Sequence, residues 1–556
     1  MKRSIIMLWF FLRTMHGFAQ TTYSELLLPD SIKDATPERI DIDNDGLLDI
    51  ILLMKSETAK SYMGIIKGDT INRVLTSRET FRVINFTSYL FADYDRDNAI
   101  DIIVSGEKNG VPGTTVYRNK GHLVFQEEVT TLPPFTIARF ADLDDDATPE
   151  FIASGEDING YYFKILKEIS PDAWTIVHDS LKLKCTGIEV MDADGDGTKD
   201  LFVSGRIKPD SLVSGFLINN GNFYLSLDHT VDLAGNTSAG DLNSDGSFEV
   251  VLMAADNNGQ WHTKKFEPVS GGYEINDLPM VLKDGKSFIA DFNYDGIADI
   301  NFLGITAAGA VSNTIQYSDG QSLSLPVDLI THQRFADIEH DGDLELLVIR
   351  NDGALSLAFP QVLANEKNLG PGIPTNAVAL PVFNRVFMYW DKPTDDHTPS
   401  NALTYDVFLS GVRNYQAGEF DLLNEKRLSV THGNNGSQNF RLLKNVSPSG
   451  LSFAIQSIDN SFHTGSVCMG GGPGSGIPMA CVDVTTAEEI SACTNENITF
   501  EAPVANALWF SFADGYLGTG NDLDFESPTA DTLFYYAPMG AGCSSLKAWV
   551  IKINDD

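Results

Sequence analysis

The chain has 556 residues, of which 43% are hydrophobic, 10% aromatic and 21% charged. This ordinary globular mixture excludes wholesale disorder and fibrous architectures, and the length predicts several domains. The 39 Lys and Arg residues stand against 76 Asp and Glu residues, which gives a formal charge of −37. A surface this negative repels phosphate backbones and attracts cations, so we expect no nucleic-acid partner.

The first residues have the pattern of an export signal. Lys2 and Arg3 precede an apolar run over 5–11, and small residues follow it. This order is typical of a secretory signal peptide, which we place at 1–19. Because Arg13 interrupts the apolar run and no later run reaches 18 residues, the sequence predicts no transmembrane segment. We therefore expect a secreted, extracellular or cell-surface protein.

Seven acidic segments recur along the chain at steps of 46 to 52 residues, beginning with DIDNDGLLD at Asp41. In each of them, positions 1, 3, 5 and 9 carry oxygen-bearing side chains, and five of the seven have Gly at position 6. A main-chain carbonyl at position 7 supplies a further oxygen. Such a turn suits Ca²⁺, which accepts 6–8 oxygens in flexible geometry, better than Mg²⁺.

The predicted ligands at positions 1, 3, 5, 7 and 9 belong to seven loops, numbered here in chain order. They are Asp41, Asp43, Asp45, Leu47 and Asp49; Asp93, Asp95, Asp97, Ala99 and Asp101; Asp142, Asp144, Asp146, Thr148 and Glu150; Asp192, Asp194, Asp196, Thr198 and Asp200; Asp241, Asn243, Asp245, Ser247 and Glu249; Asp291, Asn293, Asp295, Ile297 and Asp299; and Asp337, Glu339, Asp341, Asp343 and Glu345. Up to seven structural Ca²⁺ ions are thus predicted.

Two other interpretations of these loops are disfavoured. An EF-hand requires a bidentate Glu at position 12, but that position is apolar in every repeat and lies in a β-rich run, as at Leu52 and Val203. Acidic turns without metal would leave 26 carboxylates at positions 1, 3, 5 and 9 repelling one another. The sequence therefore predicts cation loops that lead into strands.

The segments between the loops have room for about four strands per repeat. Seven four-stranded units predict an all-β fold, a seven-bladed β-propeller over 20–362. Only two strands follow the seventh loop before 362, so we expect the first mature residues, near 23–28, to supply the missing outer strand.

The motifs DIDNDGLLDI and DADGDGTKDLF and their five companions resemble FG-GAP/VCBS repeats, as in the integrin α-subunit head and many secreted bacterial propellers. The resemblance implies a seven-bladed propeller in which each metal loop joins the first and second strand of a blade. Asn98 and Ala147 replace the Gly at position 6 of loops 2 and 3. Because non-Gly residues strain a left-handed turn, we expect weaker binding in these two loops.

The last third of the chain has a different β pattern. After a linker at 363–372, residues 373–468 resemble a fibronectin type III domain, with Trp390 as a core residue. A Gly-rich linker over 469–479 leads to a second, Ig-like β-sandwich over 480–556. The sequence resembles secreted proteins of the Bacteroidetes in this mixture of domains.

Four of the five cysteines lie in the last ninety residues. A disulfide there is plausible, with Cys493 to Cys543 the preferred pair, although sequence alone does not determine pairing. Cys185 is predicted to be a buried apolar residue and not a catalytic thiol.

Three functions remain open on the sequence alone. The first is a non-catalytic adhesion or binding module for an extracellular glycan or protein, because no HExxH, GxSxG or complete phosphate-binding loop is present. The second is a polysaccharide lyase or hydrolase on the same scaffold, for which no catalytic residue can be nominated. The third is a structural component of an envelope or matrix. The first is favoured, so we expect the protein not to be an enzyme.

Overall fold

The computed structural model describes residues 22–554 except 28–31, 45, 57–60, 67–77, 84, 98, 109, 122, 209–210, 222, 224, 270–271, 326–329, 338–343, 351–353, 360–367, 383–384, 411–419, 422–425, 447–450, 472–487, 494–497, 502–506, 512–514, 521, 526–531 and 539–546. Within these ranges the fold is all-β, and no helix is present that could cross a membrane. The predicted signal peptide and Cys543 lie outside the described residues.

Residues up to Phe359 form seven four-stranded antiparallel sheets, called here the seven-sheet region. The first six sheets are β2 (Ile32–Ile40), β3 (Asp49–Ser56), β4 (Ser61–Ile66) and β5 (Arg78–Val83); β6 (Asn85–Ala92), β7 (Asp101–Lys108), β8 (Val111–Asn119) and β9 (Phe125–Val129); β10 (Ile137–Ala141), β11 (Glu150–Asp157), β12 (Gly160–Ser170) and β13 (Ala173–His178); β14 (Lys184–Met191), β15 (Asp200–Lys208), β16 (Ser211–Asn219) and β17 (Leu225–Val231); β18 (Ala234–Gly240), β19 (Glu249–Ala255), β20 (Trp261–Val269) and β21 (Gly272–Asp277); and β22 (Lys283–Ala290), β23 (Asp299–Ile305), β24 (Val311–Gln316) and β25 (Ser322–Ser324).

The seventh sheet joins both ends of this region. Its strands are β1 (Thr22–Leu27), β26 (Ile330–Ala336), β27 (Glu345–Arg350) and β28 (Ala354–Phe359). Strand β1 pairs antiparallel with β28, from Thr22 opposite Phe359 to Leu27 opposite Ala354. The prediction that residues near 23–28 supply the fourth strand is confirmed, and the pairing covers an edge that would otherwise be open.

Each acidic loop connects the first strand of a sheet to the second, as the repeat pattern implied. The residue at position 9 is the first residue of the second strand in all seven sheets, for example Asp49 of β3 and Asp200 of β15. These second strands are buried on both faces, as in β7, where the first six residues are buried. The loops therefore lead into strands and are not EF-hands.

Neighbouring sheets pack on one another through apolar side chains. Phe202 and Phe216 of the fourth sheet pack on Phe266 of the fifth, with ring centroids 4.8 to 5.9 Å apart. Similar clusters join each sheet to the next in chain order, up to the sixth and seventh. The seventh sheet in turn meets the first, where β26 contacts β2.

The next segment, called the middle region, forms two three-stranded sheets and one two-stranded sheet. Its strands are β29 (Thr375–Val382), β30 (Arg385–Asp391), β31 (Thr404–Ser410), β32 (Phe420–Asp421), β33 (Lys426–Arg427), β34 (Phe440–Lys444), β35 (Ser452–Ile458) and β36 (Cys468–Gly471). Trp390 is fully buried against Tyr405, which confirms its core role. Strand β36 takes in three residues that the sequence assigned to the Gly-rich linker.

The last segment contains one five-stranded sheet and one strand pair. Its strands are β37 (Glu488–Cys493), β38 (Ile498–Glu501), β39 (Ala507–Ser511), β40 (Gly515–Gly520), β41 (Asp522–Phe525), β42 (Thr532–Pro538) and β43 (Lys547–Asn554). Strands β37 and β43 pair in parallel, and the other pairs are antiparallel.

Candidate functional site: acidic loops and a central cavity

The backbone of each loop holds its position-1 carboxylate in place. Oδ2 of this Asp accepts a hydrogen bond from the position-6 N–H in five loops, as from Gly46 to Asp41 at 2.8 Å and from Ala147 to Asp142 at 2.9 Å. The position-9 carboxylate accepts from the position-2 N–H in six loops, as from Ala193 to Asp200 at 2.7 Å. Backbone N–H groups of the same loop thus orient the carboxylates at positions 1 and 9.

Two residues in each turn have a left-handed backbone. Position 6 has φ between +69° and +96° in loops 1, 3, 4, 5 and 6, and the value for Ala147 is +69°. Position 4 is also left-handed in loops 1 to 6, including the non-Gly residues Arg96 and Tyr294. The strain expected at Ala147 is present, and the second left-handed position is a feature that sequence analysis missed.

Burial and mutual repulsion disfavour the charged form of these carboxylates. In loops 1 to 4, three carboxylates of each loop bring oxygens within 4.8 Å of one another. Burial, together with the nearby charges of Asp194 and Asp192, raises the pKa of Asp200 to about 8. Burial likewise raises the pKa of Glu249 to about 8 and that of Asp299 to about 7. A bound cation would remove this penalty.

Loops 1, 4, 5 and 6 fit a hard cation by their donor chemistry. Their donors are carboxylate, amide and main-chain oxygens, and in the described parts of loops 4, 5 and 6 no ion pair with Lys or Arg involves a ligand carboxylate. Asp45 of loop 1 lies outside the described residues, as do Glu339, Asp341 and Asp343 of loop 7. Only Asp337 and Glu345 of that last loop can be placed, and both are buried.

Loop 3 fits a cation poorly because lysine already occupies its centre. Nζ of Lys167, from β12, forms an ion pair with Asp144 and lies 2.7 Å from Oδ2 of Asp146 and 3.5 Å from Oε1 of Glu150. Nη2 of Arg441 donates to Oδ2 of Asp142 at 2.7 Å. All four predicted side-chain ligands of this loop therefore face a protein cation.

Loop 2 is neutralised in a similar way. Oδ2 of Asp95 accepts from Nη1 of Arg118 at 3.0 Å and from Nζ of Lys120 at 2.9 Å. Loops 2 and 3 are the two loops that lack Gly at position 6. The sequence predicted weaker metal binding there from backbone strain, and the structure adds a second reason, which is competition from basic side chains.

The middle region lies on the acidic loops. Besides the Arg441 contact, it makes backbone hydrogen bonds to loops 1, 3 and 6, from Asp41 N to Leu428 O, from Lys444 N to Asp145 O and from Asp291 N to Asn460 O. Ala147 belongs to the apolar core of the middle region, which also contains Val446. The side chains of Ser437 and Gln438 reach Gly246 and Asp192 of loops 5 and 4. Sequence analysis did not predict this docking.

A cavity of about 1330 Å³ lies where the first strands of the seven sheets meet. The residue three positions before each loop lines it in every sheet: Glu38, Leu90, Arg139, Glu189, Ser238, Phe288 and Arg334. Residues 430–433 and Phe462 of the middle region also line it. The cavity extends to exposed residues such as Ser226 and Asp228, so it opens to solvent. Sequence analysis missed these residues, although their fixed distance from the loops is visible in the repeat.

Polar contacts connect the sheets around the cavity. Glu38 accepts hydrogen bonds from Tyr89 at 2.8 Å and from Nη2 of Arg334 at 2.6 Å. Oε1 of Glu189 accepts from Thr237 at 2.6 Å, and burial raises the pKa of Glu189 while nearby Arg139 lowers it. These contacts link first strands of different sheets and fix the side chains that face the cavity.

Cys185 is buried, and burial raises the pKa of its thiol to about 12. This agrees with the predicted structural role, because a reactive cysteine needs an accessible thiolate.

Comparison with known proteins gives similarity to solved structures only. No protein-family model matches the chain, and no curated protein matches it. The BP39L lectin from Burkholderia pseudomallei is 11% identical over 61% of this chain and 98% of its own, with a TM-score of 0.42. The exotype rhamnogalacturonan lyase YesX is 13% identical over 62% and 73%, with a TM-score of 0.38. The Dos1 propeller is 10% identical over 59% and 77%, with a TM-score of 0.37.

Proposed function

We propose that this protein is a secreted, calcium-stabilised seven-bladed β-propeller of the FG-GAP/VCBS type that binds an extracellular glycan without cleaving it. The observation that carries the proposal is the central cavity, to which the first strand of every sheet contributes a side chain at the same distance from its acidic loop. Aromatic faces at Tyr89, Phe140 and Trp174 lie beside polar groups there, a combination typical of small-ligand sites.

Calcium has a structural role in this proposal. Loops 1, 4, 5 and 6 are its proposed sites, with loop 7 as a fifth site on sequence grounds. A bound ion would bring the carboxylates of one turn together and fix the junction between the first two strands of a sheet. Loops 2 and 3 carry their own cations in Arg118, Lys120, Lys167 and Arg441. The middle region, proposed to be fibronectin type III-like, then holds the loop face together.

The direct test is a panel of extracellular polysaccharides, with the mature protein assayed for retention on each polymer and for polymer chain length. We expect retention without shortening on at least one polymer. A parallel retention assay in excess chelator, on protein first shown to be metal-free, tests whether retention depends on bound Ca²⁺. Absence of retention on every polymer in the presence of Ca²⁺ would contradict glycan binding, and self-association instead would favour the structural-component alternative.

A polysaccharide-cleaving function is the second candidate, and Glu189 is the observation that favours it. This carboxylate is half-buried in the cavity wall and has a raised pKa, which is a property that catalytic acids and bases share. Shortening of a polymer that a Glu189→Gln variant binds but leaves intact would establish this candidate. Unchanged polymer length with both proteins would dismiss it.

A further inference from the structure

The cavity wall contains a buried cation with unfilled hydrogen-bonding capacity. Arg39, in β2, is only 8% exposed and lines the central cavity. Its Nε and Nη1 atoms have no hydrogen-bond partner among the described residues. Two buried guanidinium donors without partners cost free energy, since each has lost its water. Such a group is normally explained by a ligand or by ordered water.

The nearby carboxylates do not accept hydrogen bonds from Nε and Nη1 of Arg39. The carboxylate of its neighbour Glu38 is engaged by Arg334 and Tyr89. Over the described residues of the seven first strands, the cavity lining contains the cations Arg39, Arg139, Lys286 and Arg334 and the carboxylates Glu38 and Glu189. The first-strand part of the wall therefore has an excess of two positive charges, whereas the complete lining is balanced, with seven basic and seven acidic residues, and the whole chain has a formal charge of −37.

An acidic ligand fits this wall better than a neutral one. A carboxylate accepts charge-assisted hydrogen bonds from guanidinium donors, and these are about twice as strong as neutral ones. The low-dielectric wall strengthens the attraction further. Carboxylates of loop 4 that also line the cavity, such as Asp192 and the exposed Asp194, would oppose the entry of a polyanion. The lining thus favours a short anionic unit held at the basic first-strand part of the wall.

We propose that the central cavity binds an acidic saccharide, with the carboxylate of one uronate unit held by Arg39. This inference rests on the proposed glycan-binding function and specifies its ligand class. Phe140 and Phe288, which line the same cavity, offer apolar faces for the sugar ring. Arg139 and Lys286 provide further positive charge on the same wall.

The test uses calorimetric titration of the full mature protein with trisaccharides of galacturonate, glucuronate and mannuronate. Each is compared with the same trisaccharide after reduction of its carboxyls to alcohols. We expect at least one acidic trisaccharide to bind at least tenfold more tightly than its reduced form. Acetate alone should not compete at the same concentration, because the sugar contributes contacts as well as the carboxylate.

Variants then test the residue. Arg39→Met should weaken binding of the acidic form about tenfold or more, since hydrogen bonds to charged groups contribute that much. Arg39→Lys keeps the charge and should lose less. Arg206→Met, which removes an exposed guanidinium on β15 outside the lining, is the matched control and should bind normally. If Arg39→Met does not fold, Arg39→Lys and the reduced sugars still decide the question.

The outcomes separate this inference from the proposed function. Equal binding of acidic and reduced sugars would overturn the acidic specificity and leave glycan binding intact. Acid-selective binding that Arg39→Met and Arg39→Lys leave unchanged would overturn the role of Arg39. Competition by acetate as strong as that of the sugar would show a simple anion site and overturn the saccharide assignment. Failure of every acidic and neutral glycan to bind would overturn both proposals.

Discussion

Nη2 of Arg441 lies 2.7 Å from Oδ2 of Asp142, and both side chains are buried. Arg441 belongs to β34 of the middle region, whereas Asp142 is the first residue of the third acidic loop. The adjoining Lys444 Nζ is 3.0 Å from Oδ2 of Asp145 in the same loop. A sequence pattern that indicates a metal site thus serves, in this loop, as a contact between two parts of the chain.

Removal of the arginine should weaken the docking of the middle region. In Arg441→Met, the buried Asp142 loses its ion-pair partner, and breaking one side of a buried pair costs about 3–5 kcal/mol. We expect a free energy of unfolding lower by about that amount in urea denaturation. Arg385→Met, on the neighbouring strand β30, is the matched control. A loss no larger than that of the control would contradict the docking role.

Loop 3 should gain calcium when its lysine is removed. Lys167→Met deletes the ammonium that contacts Asp144, Asp146 and Glu150. Because these carboxylates then repel one another without a neutralising charge, the loop should bind a cation in place of the lysine. Equilibrium dialysis with metal analysis should show one more bound Ca²⁺ per chain than in the unmodified protein. Lys164→Met on the same strand should leave the count unchanged. An identical count in both variants would show that Lys167 does not exclude calcium.

Calcium removal should destabilise the seven-sheet region. At about 1 mM Ca²⁺, extracellular sites with dissociation constants of 10⁻⁴–10⁻³ M each contribute about 0.4–1.4 kcal/mol. Five independent sites, in loops 1, 4, 5, 6 and 7, would contribute about 2–7 kcal/mol. Denaturant unfolding in 1 mM Ca²⁺ and in excess chelator measures this difference. The same free energy of unfolding in both conditions, on verified metal-free protein, would exclude structural calcium.

The contact at His432 should make stability depend on pH. Nε2 of this half-buried histidine lies 3.1 Å from Ala239 O, and burial, with Arg427 nearby, lowers the pKa of His432 to about 4. The unfolded chain, with a pKa near 6.5, binds more protons between these values. Stability from this group is therefore complete above pH 6.5 and falls as the pH decreases towards 4, by up to about 3 kcal/mol.

Denaturation of the unmodified protein and of His432→Gln at pH 4.5, 5.5 and 7 isolates this contribution from that of the carboxylates. The difference in free energy of unfolding between the two proteins should shrink as the pH falls. His262→Gln, on β20, is the control for replacing a histidine outside this contact. A difference for His432→Gln that does not change with pH would refute the assignment.

Local features of the sequence were sufficient for the architecture of the sheets. The nine-residue loop pattern fixes a turn and the start of the next strand, since its geometry depends on neighbouring residues only. The strand that follows each loop therefore begins at position 9, as at Glu249 of β19. The sequence also predicted the pairing of β1 with β28, because the last repeat lacked one strand and the segment before the first loop had one strand more than its repeat needed.

The sequence by itself determined the seven repeats, the turns and the all-β fold, because spacing along the chain controls these features. Only the tertiary structure decided that Lys167 and Arg441 occupy loop 3, that the middle region covers the loops and that Arg39 faces a cavity. Arg441 lies 299 residues from Asp142 along the chain. Charge neutralisation and cavity lining depend on contacts between side chains that are distant in the sequence, and the repeat period does not predict such contacts.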